Sequence, residues 1–135
     1  MKTTIILQVI LLLGLSFTSC KKENFNEKII GKWQIQEVFN GYSNGGDFRW
    51  STVPSQYKNS LEFNANGGFK EVRATGNLPV QCTGNYSLLS NGDIQVVSDC
   101  SSTPYNLSIS VSNEVLIINH LVREGEIKEK FIKVK

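Results

Sequence analysis

The sequence predicts an all-β fold, an eight-stranded antiparallel up-and-down barrel that follows an N-terminal signal segment. Three observations lead there. Short runs in which apolar and polar residues alternate recur along the chain, and a period of two marks strands with one buried face. The runs are separated by Asn, Gly, Asp and Ser clusters of the kind that reverse a chain in hairpins. No segment keeps a helical period for more than two turns. Strands joined one after another leave two sheet edges open to other chains, and closing the sheet removes both. With eight strands, the interior is either just filled by side chains or holds one small ligand.

The first element is an export leader, residues 1–19. Lys2 supplies the positive start and residues 5–15 the apolar stretch. That stretch is well short of the roughly 20 apolar residues of a membrane-spanning helix. Ser16-Phe17-Thr18-Ser19 then precedes Cys20. This resembles the lipobox of bacterial lipoprotein precursors, with Ser19 as the small residue before the cut and Phe17 where Leu is usual. The resemblance implies that Cys20 becomes the acylated first residue, so that the lipid bilayer is a partner. Two or more acyl chains hold a protein stably, at about 0.8 kcal/mol per buried CH₂. The expected location is the cell envelope, at the outer membrane, with the membrane face left open. Residues 20–28 form the lipidated Cys and a polar spacer, and residues 29–135 the barrel domain.

Removing the leader leaves 116 residues, one domain of ordinary size. It carries 13 basic and 12 acidic residues, dispersed rather than clustered. Nucleic-acid binding needs a concentrated cationic face, so no nucleic-acid partner is expected.

A short helical turn is expected over residues 24–30. Residues 31–36 alternate, with Trp33 and Ile35 on one face, and Glu37-Val38-Phe39 breaks the alternation as a β-bulge would. A long irregular stretch, residues 41–57, carries Phe48 and Trp50. Strands follow at 60–63 and 69–72 across Asn64-Ala65-Asn66-Gly67-Gly68, and at 80–88 and 94–96 across Asn91-Gly92. Residues 105–111 show the cleanest alternation. They turn at Ser112-Asn113-Glu114 into 115–119, and Arg123-Glu124-Gly125 leads to the last strand, 127–134.

With Cys20 acylated, Cys82 and Cys100 remain, and an exported chain meets an oxidising compartment. Their midpoint falls in the Ser90-Asn91-Gly92-Asp93 turn, which sets the two cysteines across the ladder from each other or one residue out of register. A structural disulfide is expected. A metal or redox pair is disfavoured by the absence of CxxC spacing and of a neighbouring His.

Gly31-Lys32-Trp33 resembles the Gly-x-Trp that opens the first strand of lipocalins. The layout beyond it is similar to the lipocalin-like domains of Bacteroidota lipoproteins, small calycin-like barrels. The shared features are the aromatic-bearing loop after the first strand, Leu61-Glu62-Phe63 to Gly67, the Cys-x-Gly-x-Tyr run Cys82 to Tyr86, and the closing Lys130-Phe131-Ile132-Lys133-Val134. The resemblance covers residue 29 onward. It departs in lacking a Thr-Asp-Tyr motif, in carrying Lys130 and Lys133 where the family has an Arg, and in having no helix after the barrel. It implies that the Trp packs at a closed base and that the loop after the first strand lies over an open end.

No constellation of residues points to catalysis. The single His, His120, ends a strand with no HxH, HExxH or acidic cluster beside it and reads as a rim or surface residue. Glu124, Glu126 and Glu129 mix with Lys128 and Lys130, the pattern of a solvated hairpin. The glycine-bearing turns lack a following helix to cradle phosphate. No enzyme activity, no metal and no cofactor is therefore expected. The aromatics Trp33, Phe63, Phe69, Tyr86, Tyr105 and Phe131 are expected to face inward, as core or as pocket lining, with Phe48 and Trp50 as a lid. The leading expectation is a lipid-anchored, non-catalytic binder of a small apolar or amphipathic molecule. Its alternative is a filled barrel acting as an envelope module that contacts protein or glycan.

Overall fold

The structure is a computed structural model that describes residues 25–75 and 78–135. The leader, Cys20 and the spacer as far as residue 24 lie outside the described residues. Among the described residues, a helical turn, α1 (Phe25–Ile29), precedes nine strands: β1 (Gly31–Tyr42), β2 (Trp50–Thr52), β3 (Ser60–Phe63), β4 (Gly68–Ala74), β5 (Pro79–Leu88), β6 (Ile94–Ser98), β7 (Tyr105–Ser112), β8 (Val115–Val122) and β9 (Gly125–Val134).

Every neighbouring pair is antiparallel, in the order β2-β1-β3-β4-β5-β6-β7-β8-β9, and β1 also pairs with β9. The sheet therefore closes as an eight-stranded up-and-down barrel, with β2 as one strand more. The closing seam is long, running from Lys32 opposite Val134 to Tyr42 opposite Gly125. Its register shifts between Ile35 and Glu37, so Gln36 is the bulge that the broken alternation of β1 announces. The bulge restores phase for the core, since Trp33 and Ile35 face inward before it and Val38 after it.

Within residues 41–57, predicted to be irregular, β1 continues to Tyr42 and β2 forms. Both β2 and β3 lie along the same side of β1: Glu37 to Phe39 pair with Thr52 to Trp50, and Gly31 to Gln34 with Phe63 to Ser60. Between them, the Val53 amide donates to the Gln36 carbonyl and the Ile35 amide to the Asn59 carbonyl. The two strands thus form one path along β1, from which residues 54–58 step out through the single 3-10 turn Ser55–Tyr57. Pro54 has no amide hydrogen to give the ladder, which accounts for the break where it occurs.

The barrel has two unlike ends. At the base, where β1 starts and β9 finishes, α1 lays Ile29 against Trp33, Phe63 and Phe131, all essentially buried. The Trp33 indole donates to the Ile29 carbonyl at 2.7 Å, which satisfies its one polar atom. The Lys133 ammonium sits 5.2 Å from the Trp33 ring centre, placing a cation on the ring where the sequence offers no Arg. Phe63 packs against Phe69 and, edge-on, against Tyr86, whose hydroxyl donates to the Asn64 carbonyl.

Cys82 and Cys100 form a disulfide with their Cα atoms 5.5 Å apart. Gly84 pairs with Ser98, so the same register carried two residues further sets the cysteines opposite each other. Gly84 is required there, because a Cβ would collide with the Val97 carbonyl oxygen and Ser98 backbone. Asp99 ties the same corner by accepting from the Thr83 amide and hydroxyl, each at 2.8 Å. Those bonds hold the Asp99 carboxyl below its usual range.

Candidate functional site

The upper half of the barrel, away from α1, is hollow. A cavity of about 340 Å³ opens at the end where β4 and β8 finish and β7 and β9 begin. This volume lies at the lower end of the range for small-molecule sites, roughly 300–1,000 Å³. Its lower part is apolar, formed by Leu61, Phe69, Leu107, Ile118 and Phe131. Its upper wall is polar and ionisable, formed by Asn59, Glu71, Arg73, Tyr105, His120 and Glu129.

Strand periodicity places each of these groups inside. Phe69 faces the core, so Glu71 and Arg73, two and four residues on, share its face. Leu116 and Ile118 do the same for His120, and Phe131 for Glu129. The polar wall is therefore made by continuing core-facing registers with polar residues toward the mouth.

The ionisable groups form two pairs on different walls. On β4, Arg73 donates from Nε and Nη2 to the two Glu71 oxygens, both at 2.8 Å, a bidentate arrangement. The Glu71 hydrogen bonds raise the Arg73 pKa further, so the guanidinium stays charged at every physiological pH. The Tyr105 hydroxyl lies beside Glu71, Arg73 and Ser98, and its pKa is raised, chiefly by burial. On the far wall, His120 Nε2 and Glu129 Oε2 are 3.0 Å apart. The bond to Glu129 raises the His120 pKa above 6.5 against the opposing effect of burial. Asn59 is fixed by accepting from the Ala74 amide at 2.8 Å.

The eight aromatics considered from sequence fall into three places. Phe69, Tyr105 and Phe131 line the cavity. Trp33, Phe63 and Tyr86 pack toward the base. Phe48 and Trp50 are not among the residues that line the cavity. Trp50 lies on the outer face, its ring 5.6 Å from Phe39 and its centre 4.4 Å from the Lys130 ammonium. The reason is pairing: β2 hydrogen-bonds to β1, Trp50 sits opposite Phe39, and both point away from the core-facing side of Val38. Phe48, 61% exposed, has a positive φ of 50° in the loop before β2.

Two readings of polar residues also change. His120 is a wall residue of the cavity with an acidic partner, and Glu129 belongs inside with it rather than to a solvated hairpin. Glu126 and Lys128 do form an outer ion pair at 2.8 Å, and Lys130 pairs outside with Glu37. Glu71 and Arg73 went unnoticed in the sequence. Their signal was phase, since each stands on the core-facing side of a strand near its upper end.

The one cluster of metal-ligating residue types among the described residues is Cys82, Asp99 and Cys100. Its sulfurs are joined in the disulfide and offer no thiolate. The chain matches no family model, no curated protein and no solved structure.

Proposed function

We propose that this protein is a membrane-anchored, lipocalin-like lipoprotein that takes a small amphipathic molecule into the open end of its barrel and releases it unchanged. The observation that carries this reading is the cavity, apolar below and polar near the mouth. An alkyl or aromatic body gains about 25 cal/mol for each Å² it buries on the floor, while a polar head keeps partners at the wall. Binding is favoured over covalent catalysis because, among the described residues, the lining has no Ser, Thr, Cys or Lys to act as a nucleophile beside His120. A barrel filled to its mouth would have favoured the alternative of a pure interaction module, and the hollow upper half argues against that.

The anchoring part of the proposal rests on the leader and Cys20. The chain enters the barrel through α1 at the closed base. An acyl anchor at Cys20 would then hold the base toward the bilayer of the cell envelope, the outer membrane in this reading, and leave the mouth free.

Native mass spectrometry of the protein taken from its own membrane tests both parts. The expected result is an acylated chain carrying a small molecule that is lost when Ile118→Trp fills the floor. A chain without acyl mass overturns the anchoring. A chain that carries no molecule and takes up no n-octanol overturns the binding role.

A further inference from the structure

The two ion pairs in the cavity differ in one respect that bears on what can bind. Arg73 is a permanent cation, and it is paired with Glu71 through two parallel hydrogen bonds. Glu129 has as its partner a histidine, which is a cation only when protonated. The Lys residues beside Glu129 in sequence do not compensate. Lys128 and Lys130 point to the outer face, where Glu126 and Glu37 hold them. The other polar and charged groups facing the cavity are Tyr105 and Asn106 on β7, Asn59 before β3, and the Glu71–Arg73 pair across the barrel on β4. None of these adds a free cation.

With His120 neutral, the wall therefore holds two carboxylates against one guanidinium. Resting on the binding role above, we infer that the cavity selects amphiphiles with a positively charged amine head, and that the amine takes the place of His120 as partner of the Glu129 carboxylate. The apolar body would lie on Leu61, Phe69, Leu107, Ile118 and Phe131 below the pair. An anionic head is disfavoured, because the Arg73 charge is already paired with Glu71 and Glu129 would repel it.

The exchange of partners makes binding depend on pH. Bound to Glu129, the proton-carrying His120 competes with the amine, so the amine must displace a proton whenever His120 is charged. Affinity for an amine therefore falls as pH drops through the His120 range, while affinity for a neutral analogue stays level. An alkylamine itself remains protonated throughout.

Calorimetric titration of the full chain in lipid nanodiscs tests this with n-octylamine, n-octanol and octanoate, using the Ile118→Trp chain in identical nanodiscs as the blank for partition into lipid. At about pH 8 the amine is expected to bind roughly tenfold tighter than the alcohol, and the acid weakest. Lowering to about pH 5.5 should remove most of the amine's advantage and leave the alcohol unchanged. Glu129→Gln should remove the amine's advantage over the alcohol, and His120→Gln should flatten the pH profile with the amine still preferred. The wild-type ranking decides without any variant: octanoate binding as well as octylamine, or an amine preference that ignores pH, overturns the inference and leaves the binding role standing. If none of the three binds, the binding role fails and the inference with it.

Discussion

The two ends of this barrel use the same strands, the same alternation and the same inward slots, yet they are built differently. At the base, inward positions hold Trp33, Phe63 and Phe131, and α1 closes over them with Ile29, whose carbonyl takes the indole hydrogen of Trp33. Toward the mouth, the inward positions of β4, β8 and β9 pass to Glu71, Arg73, His120 and Glu129, and among the described residues no helix closes over them. The difference teaches that strand periodicity determines which residues look inward but not whether they fill the space. Large aromatics at the base meet across the barrel axis, whereas ionisable side chains near the mouth pair along their own walls and leave the axis empty.

The contrast can be broken most sharply at the base. Trp33→Ala removes the largest buried side chain and the indole hydrogen bond to α1, and urea denaturation should show a loss of about 3–5 kcal/mol. A loss under 1 kcal/mol would mean that the base is no true core. Next comes the disulfide, which closes a loop of 18 residues in sequence. Replacing Cys82 and Cys100 together by Ser should cost about 3 kcal/mol of stability in the same measurement. Far smaller effects are expected at the mouth. Glu71→Gln with Arg73→Gln removes a pair with a part-exposed guanidinium, and stability should change by no more than about 1 kcal/mol. A change as large as that of Trp33→Ala would erase the distinction between the two ends.

The smallest effect is one of pH. The folded chain holds the His120 pKa above 6.5. The stabilisation from its pair with Glu129 is therefore fully present below the unfolded value and is lost as pH rises through the folded one. The melting temperature of the wild type should carry a small decline over that window that His120→Gln lacks. A variant with the same profile as the wild type would place the origin of the decline elsewhere.

Much of this fold could be read from residue order. The turns at Asn66-Gly67 and Asn91-Gly92 and the runs of β3, β5 and β7 stood out because a period of two and a positive-φ glycine leave little choice of conformation. The disulfide followed from the same register. The path of β2 was hidden, because three residues between a glycine-rich loop and a proline show no periodicity, and their place is determined by the edge of β1. That same edge turned Trp50 outward, against the expectation of a lid. The cavity wall was hidden for another reason. A histidine or glutamate in a strand reads as exposed unless its phase is counted from the apolar residues of its own strand, and β9 interleaves inward Glu129 with outward Lys128 and Lys130. What the amino-acid order could not give is emptiness, which depends on how far side chains from opposite walls reach.

The seam between β1 and β9 has a consequence for how the chain acquires its shape. Its partners, such as Glu37 and Lys130, stand 93 residues apart in sequence, and contacts so distant are slow to form because the whole intervening chain must first be brought round. Hairpins from β3 to β9 can assemble locally, but the first strand must wait for the last. A nascent chain therefore cannot shut the barrel until its final strand has emerged. Until that moment the side of β1 that β9 will cover stays a bare edge, open to strands of other chains.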